Sequence, residues 1–174
     1  EKSFTESNTM YVIDFPGFQE IKNKDNSLET LAFNTASEQI EKFCQLALFK
    51  WEDEDKINAG LKFKKIVEFP SDCDRCVMML LAPGSDSRDP GFFEMLSEVG
   101  KNKDASDSML AVKVNTAMKK NKCTAFINSG SKTSQTFTVI HYAGKVEYSM
   151  EDFLHQNVDN IPAEVQSILQ ASEN

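Results

Sequence analysis

Apolar positions along this chain change period several times, and each change marks an element. A short apolar, β-branched run over residues 9–15 (Thr-Met-Tyr-Val-Ile-Asp-Phe) predicts a strand. Pro16-Gly17 ends it in a turn, and residues 17–25 read as a loop. From Asn26 to about Asn58 the period becomes helical. Leu28, Leu31, Ala32, Ala36, Ile40, Phe43 and Ala47 recur at three- and four-residue spacing and predict one buried stripe. Ser27 is placed to cap this helix, with Glu29 in its first turn. At about 1.5 Å per residue, some 30 residues would reach roughly 45 Å, long enough to link one site to a distant one.

Beyond an irregular stretch at 60–70, residues 72–82 predict a short apolar helix and 83–91 a flexible, Pro- and Gly-rich surface loop. Residues 91–100 and 106–120 predict two helices joined by a turn at 101–105, the second capped by Ser106 or Asp107. Residues 136–142 and 145–148 alternate like a hairpin about Ala143-Gly144. Residues 150–157 and 162–170 predict short helices, the latter with Pro162 near its first turn.

The 174 residues are one domain's worth of chain, with enough apolar side chains, including thirteen Phe, for a core. With Glu at position 1 and neither a signal sequence nor a long apolar run, the chain reads as a piece of a larger cytoplasmic protein, not inserted in a membrane. A net charge of −8 argues against nucleic acid as a partner. Residues 101–122 nevertheless carry six Lys against Asp104 and Asp107, a local +4 that reads either as a solvated face or as a patch for an acidic partner. Cys44, Cys73, Cys76 and Cys123 read as free thiols. Cys73 and Cys76 form a CxxC, but no second CxxC or paired His accompanies it in the sequence, so a four-ligand zinc site is not expected.

Candidate chemistry concentrates where the first strand ends. Asp14 falls at the strand's carboxyl edge, where open α/β sheets bind ligands and a carboxylate can hold Mg2+ directly or through water. Gly17 leaves its N–H free to approach a phosphate. Ordinary α/β loops share this strand–Asp–turn–Gly pattern.

The segment Asp14-Phe15-Pro16-Gly17-Phe18-Gln19, the long helix with Asn34, Glu38, Phe43 and Phe49, and the distant block His141-Tyr142-Ala143-Gly144-Lys145-Val146-Glu147-Tyr148 together resemble the myosin motor domain. The resemblance implies an α/β, P-loop-NTPase-like fragment, with a long relay helix and a helix-loop-helix packed on a few core strands. It divides the chain into a linker (1–8) and a partial motor-like domain (9–174). Within the latter lie a strand and switch II (9–25), relay helix and loop (26–70), an actin-binding-like helical region (71–122), and a hairpin with C-terminal helices (123–174).

In such a motor the switch II Asp orders Mg2+ through water, the Gly amide senses the terminal phosphate of ATP, and a Glu pairs with a switch I Arg and helps place the attacking water. Asp14 and Gly17 match. Gln19 replaces the Glu and cannot form that charge-assisted pair, which implies weakened hydrolysis. A Gln that positions water, as in some GTPases, is the counter-reading. The chain contains no Gly-x-x-x-x-Gly-Lys-Ser/Thr, so ATP and Mg2+ are expected to bind only in a full motor. Asn34, Glu38, Phe43 and Phe63 take relay positions, with Phe63 where the family has Trp, Ala32 where it has Cys, and Trp51 as a packing residue.

The resemblance places actin contacts at Phe92, Phe93, Lys101, Asn102 and Lys103. There a charged tip replaces the family's apolar one, and residues 84–90 are an insertion. Weakened, salt-sensitive actin binding and a cytoskeleton-associated location are therefore expected. His141 and His155 read as structural, since no Ser, Cys or metal is placed for His141 by the sequence. The alternative function is a pseudo-motor: a tethering module without efficient turnover, such as the myosin-like domain fused to chitin synthases.

Overall fold

A computed structural model describes residues 17–21, 26–64 and 72–157, together with residues 165, 167, 168 and 171. The first strand and Asp14, residues 65–71 and most of the last helix therefore lie outside the described residues.

Alternation in the 136–149 stretch produces a tight antiparallel hairpin of β2 (Thr136–His141) and β3 (Gly144–Ser149). Phe137 faces Tyr148, Val139 faces Val146 and His141 faces Gly144. Phe137, Val139, His141, Val146 and Tyr148 are all buried, so one face of the hairpin carries the core. Gly144 closes the turn at φ +151°, a conformation that side chains disfavour. A strand not anticipated from the sequence, β1 (Phe126–Asn128), pairs with the other edge of β2 to give the order β1-β2-β3. At the β3 edge, Asn26 forms a parallel bridge with Tyr148.

Helices cover the buried face. The long helix starts as α1 (Leu28–Gln45), passes through a π-helical segment (Leu46–Trp51) and ends as α2 (Glu52–Asn58). Ser27 holds its N-cap position without a side-chain hydrogen bond. Asn26 does the local tethering instead: it accepts from the Ile21 N–H at 2.9 Å and donates to the Glu147 carbonyl at 2.9 Å. α3 (Asp72–Leu81) packs on α1 and β2, and α4 (Phe92–Gly100) packs on α3 and α5 (Asp107–Lys120). Gly91 lets α3 and α4 approach, because a Cβ there would sit 2.8 Å from the Leu80 carbonyl oxygen. Ser106 caps α5 by accepting from Met109 N–H. The neighbouring Asp107 carboxylate reaches instead to the Asp152 and Leu154 amides at the start of α6 (Phe153–Gln156), which is shorter than the sequence pattern suggests.

The core is aromatic at its centre. Phe137 stacks on Phe92 (5.3 Å between centroids), Phe126 (5.4 Å) and Tyr148 (5.5 Å), with Phe153 edge-on. Met79, Leu80, Met95, Leu96, Leu110 and Val114 fill in around it.

The buried stripe of the long helix differs from the expected one. Leu28 and Leu31 are buried, but Ala32, Ala36, Ile40 and Phe43 are exposed and Ala47 is half-buried. The line facing the protein is Thr30, Leu31, Asn34, Thr35, Ser37 and Glu38. At about 100° per residue, the apolar set lies roughly opposite this line. Asn34 and Glu38 take inner positions because the 17–21 loop and the β2–β3 hairpin supply partners for them, while Thr35 bonds back to the Leu31 carbonyl of its own helix. Nor is the 83–91 loop loose: Ser85 and Arg88 form a bridge, and Asn121 bonds both the N–H and the carbonyl of Asp89. Among the described residues, no helix is long and apolar enough to cross a membrane.

Candidate functional site

Gly17, at φ +72°, turns the loop so that Phe18 points inward and Gln19 runs beside α1. Asn34 then grips the loop backbone at both polar groups of one residue. Its Oδ1 accepts from the Gln19 N–H at 2.7 Å, and its Nδ2 donates to the Gln19 carbonyl at 2.7 Å. Phe18 packs edge-on against His141 (5.5 Å) and Tyr142 (5.8 Å). The loop is thereby fixed to α1 by hydrogen bonds and to the hairpin by an aromatic contact.

The Gln19 N–H can only donate, so it fixes the orientation of the Asn34 amide. The second Nδ2 hydrogen of Asn34 goes to Tyr148 Oη at 2.7 Å. Tyr148 Oη lies 2.9 Å from His141 Nε2, and His141 Nδ1 lies 3.0 Å from Glu38 Oε2. A carboxylate acceptor at Glu38 favours the tautomer with the hydrogen on Nδ1, in which Nε2 accepts the Tyr148 hydroxyl hydrogen. Burial pushes the Tyr148 hydroxyl well above its ordinary pKa, an effect that the Asn34 bond partly offsets, so Tyr148 stays a donor. Glu38 Oε2 also accepts from the Tyr142 N–H at 3.2 Å. Cys76, fully buried on α3, brings its sulfur to 3.6 Å from His141 Nδ1. A relay Gln19–Asn34–Tyr148–His141–Glu38 thus runs from the loop through the hairpin and back to α1.

This arrangement corrects one expectation. His141 does have a cysteine beside it, 65 positions away in sequence and across the fold on α3. The signal available earlier was Cys76 of the CxxC, whose apparent lack of a His held only along the chain. Tyr148 was visible in the His141–Tyr148 block, but not its bond to Asn34.

The other candidate residues are more scattered. Gly17 and Gln19 are half-buried at the loop, while Asp14 is outside the described residues. Asn34 and Glu38 join the relay. Phe43 does not: it is 59% exposed and touches Trp51 edge-on at 5.6 Å. Phe63 is half-buried, with the Lys56 ammonium 5.4 Å from its ring centroid. Phe92 is fully buried in the aromatic stack, so its ring cannot be part of a surface contact, and Phe93 is half-buried. Lys101, Asn102 and Lys103 form an exposed turn between α4 and α5. Within the lysine-rich stretch, Lys113 pairs with Glu98 and Lys120 with Asp89. Arg75, Arg88, Lys120 and Lys122 line a cleft of about 760 Å³ at the end of α5. Cys123 lies there too, its thiol pKa raised by burial against the opposing pull of Arg88.

Comparison with known proteins adds the family. The model of the myosin head (motor domain) matches residues 1–174. Myosin-IIIa of Homo sapiens is 28% identical over 163 residues, which is 94% of this chain and 9% of that protein. Myosin-I heavy chain of Dictyostelium discoideum is 28% identical over 93% of the chain and 6% of its own length. Myosin-2 of Arabidopsis thaliana is 30% identical over 93% and 12%. The chain thus spans only a small part of the length of these relatives.

Proposed function

The chain belongs to the myosin head (motor domain) family, and we propose that it supplies that motor's switch II loop, relay helix and actin-facing helix-loop-helix. In this reading Asp14 and Gly17 face Mg2+ and the terminal phosphate of ATP in the full motor. The long helix carries the loop's state to its far end. The observation that carries the reading is the pair of hydrogen bonds between the Asn34 side chain and the backbone of Gln19. A loop held at both its N–H and its carbonyl by one helix side chain cannot shift with nucleotide state unless it moves that helix or breaks both bonds. The helix runs unbroken from Leu28 to Asn58, so a displacement at its start is delivered roughly 45 Å away.

Gln19 sets the strength of the chemistry. It is half-buried and carries no charge, so it cannot pair with a switch I Arg or accept a proton as a carboxylate does. Hydrolysis is therefore weakened. The same residue favours a second reading, a pseudo-motor that binds and tethers. Its chitin-synthase form finds no support in the relatives named above, which are myosins. Gln19→Glu in the intact protein should raise actin-activated ATPase by an order of magnitude or more. An unchanged rate, with nucleotide still bound, would assign the protein to the tethering reading.

The actin contact in this reading is the exposed turn Lys101-Asn102-Lys103, with Phe92 withdrawn into the core. A charge-led contact is steered by opposite charge and screened by salt. Cosedimentation with actin filaments should fall steeply between low and physiological salt. Salt-insensitive pelleting would point to an apolar anchor elsewhere. The location that follows from the reading is cytoplasmic and cytoskeleton-associated.

A further inference from the structure

The Cys76–His141–Glu38 cluster has more chemistry than the relay uses. It brings together one thiol, one imidazole and one carboxyl group, all buried, whose nearest ligand atoms lie within 4.8 Å of one another. Zinc bonds of about 2.0 Å to nitrogen or oxygen and about 2.3 Å to sulfur, at tetrahedral angles, require N···S of roughly 3.5 Å and N···O of roughly 3.3 Å. The observed His141 Nδ1···Cys76 Sγ distance is 3.6 Å and the His141 Nδ1···Glu38 Oε2 distance is 3.0 Å. Of these two contacts, only the second has to open, by roughly 0.3 Å; the Cys76 and Glu38 ligand atoms lie within 4.8 Å of each other. The other ring nitrogen of His141 lies 2.9 Å from Tyr148 Oη, which can accept from it once that nitrogen carries the hydrogen.

We propose that Glu38, Cys76 and His141 form a site for a thiophilic divalent cation of the zinc class, with a water completing four-coordination. The donor set selects the metal: a thiolate excludes magnesium and calcium, and the N, O, S mixture suits zinc or cobalt. The three ligands come from α1, β2 and α3, so the ion cross-links the three elements that meet beneath the Gln19 loop. The protons balance simply. Cys76 releases its thiol proton to solvent on binding. The imidazole hydrogen moves from Nδ1 to Nε2, where Tyr148 Oη accepts it and the tyrosine hydrogen turns aside. Metal binding thereby rewrites the hydrogen bonds that lead to Asn34. The site stands independently of any reading of ATP or actin binding.

Cobalt(II) tests this directly, because sulfur-to-cobalt charge transfer and the strong visible bands of a tetrahedral ion report the ligand set. Metal-free intact protein titrated with Co2+ should develop both bands at one equivalent, and excess Zn2+ should bleach them. The difference between the protein and its Cys76→Ser variant isolates this thiol from Cys44, Cys73 and Cys123. Serine preserves size and polarity, and the charge-transfer band should vanish with it. Tyr148→Phe removes only the outer partner and should weaken binding about 10- to 100-fold. Zn2+ should also raise the melting temperature of the parent but not of Cys76→Ser or of a second variant, Cys76→Ala. A charge-transfer band that persists in Cys76→Ser, or no tetrahedral spectrum at one equivalent in the parent, overturns the site.

Discussion

The two halves of the long helix obey opposite rules. From Leu28 to Glu38 it buries polar side chains, and Asn34 and Glu38 are wholly enclosed. From Ile40 to Ile57 it exposes apolar ones: Ile40, Phe43, Leu48, Trp51 and Ile57 are all at least 39% accessible. The near half is held by hydrogen bonds made away from water, where each missing partner is expensive. The far half carries apolar side chains that the described residues leave exposed, and Leu61 just beyond it is exposed too. Regular α-helical bonding also gives way in the far half, where Leu46–Trp51 winds as a π-helix. Together they suit a rod clamped at one end.

The sharpest way to break the contrast is to remove one partner from the clamp. Glu38→Ala leaves the buried His141 Nδ1 donor, and the part-buried Tyr142 amide, without the Glu38 acceptor. It should lower unfolding free energy by about 3–5 kcal/mol. Ile40→Ala, two positions along on the exposed face, should change it by no more than about 0.5 kcal/mol. Denaturant melts of both variants provide the measurement. Comparable losses would mean that the far face is covered in solution.

Alkaline melting probes the clamp without mutating Glu38. Tyr148 has a folded pKa raised above the ordinary phenol value by burial. A raised folded pKa means that the unfolded chain gives up its proton first. Stability from this group is therefore complete below about pH 10 and declines as pH rises above that, by at most about 1.4 kcal/mol per pH unit. Melting temperatures from pH 9 upward should show this decline, and Tyr148→Phe should flatten it from a lower starting stability. A parallel slope in the variant would place the alkaline sensitivity in other groups.

Legibility in the sequence follows the same divide. Local signals located the hairpin, α3, α4, α5 and the Ser106 cap, because alternation, helical spacing and turn residues act within a few positions. Asn34, Glu38 and His141 stood out by family resemblance, not by period. Periodicity misled at the long helix, since it takes apolar residues for the inner face. Here the apolar line 32-36-40-43 looks outward while Asn34 and Glu38 look in. The juxtaposition of Cys76 with His141, and the bond from Asn34 to Tyr148, depend on how α3 and β3 dock against α1. No short-range pattern encodes either. β1 escaped notice because three residues are too few to set a period.

The exposed half offers the smallest and most diagnostic effect. Phe43 and Trp51 meet edge-on at 5.6 Å, two turns apart across the π-helical segment. Regular α-helix would turn residue 51 roughly 80° round from residue 43, whereas wider π winding lowers the angle per residue and brings the two onto one side. Their contact thus reports the winding itself. A double-mutant cycle of Phe43→Ala and Trp51→Ala should give a coupling of about 0.5 kcal/mol, the low end for aromatic pairs because both rings remain wet. Zero coupling would mean that the segment relaxes to ordinary α-helix when free. A coupling several times larger would mean that these rings are the nucleus of a packed surface, and the far half would no longer count as the uncovered end of the rod.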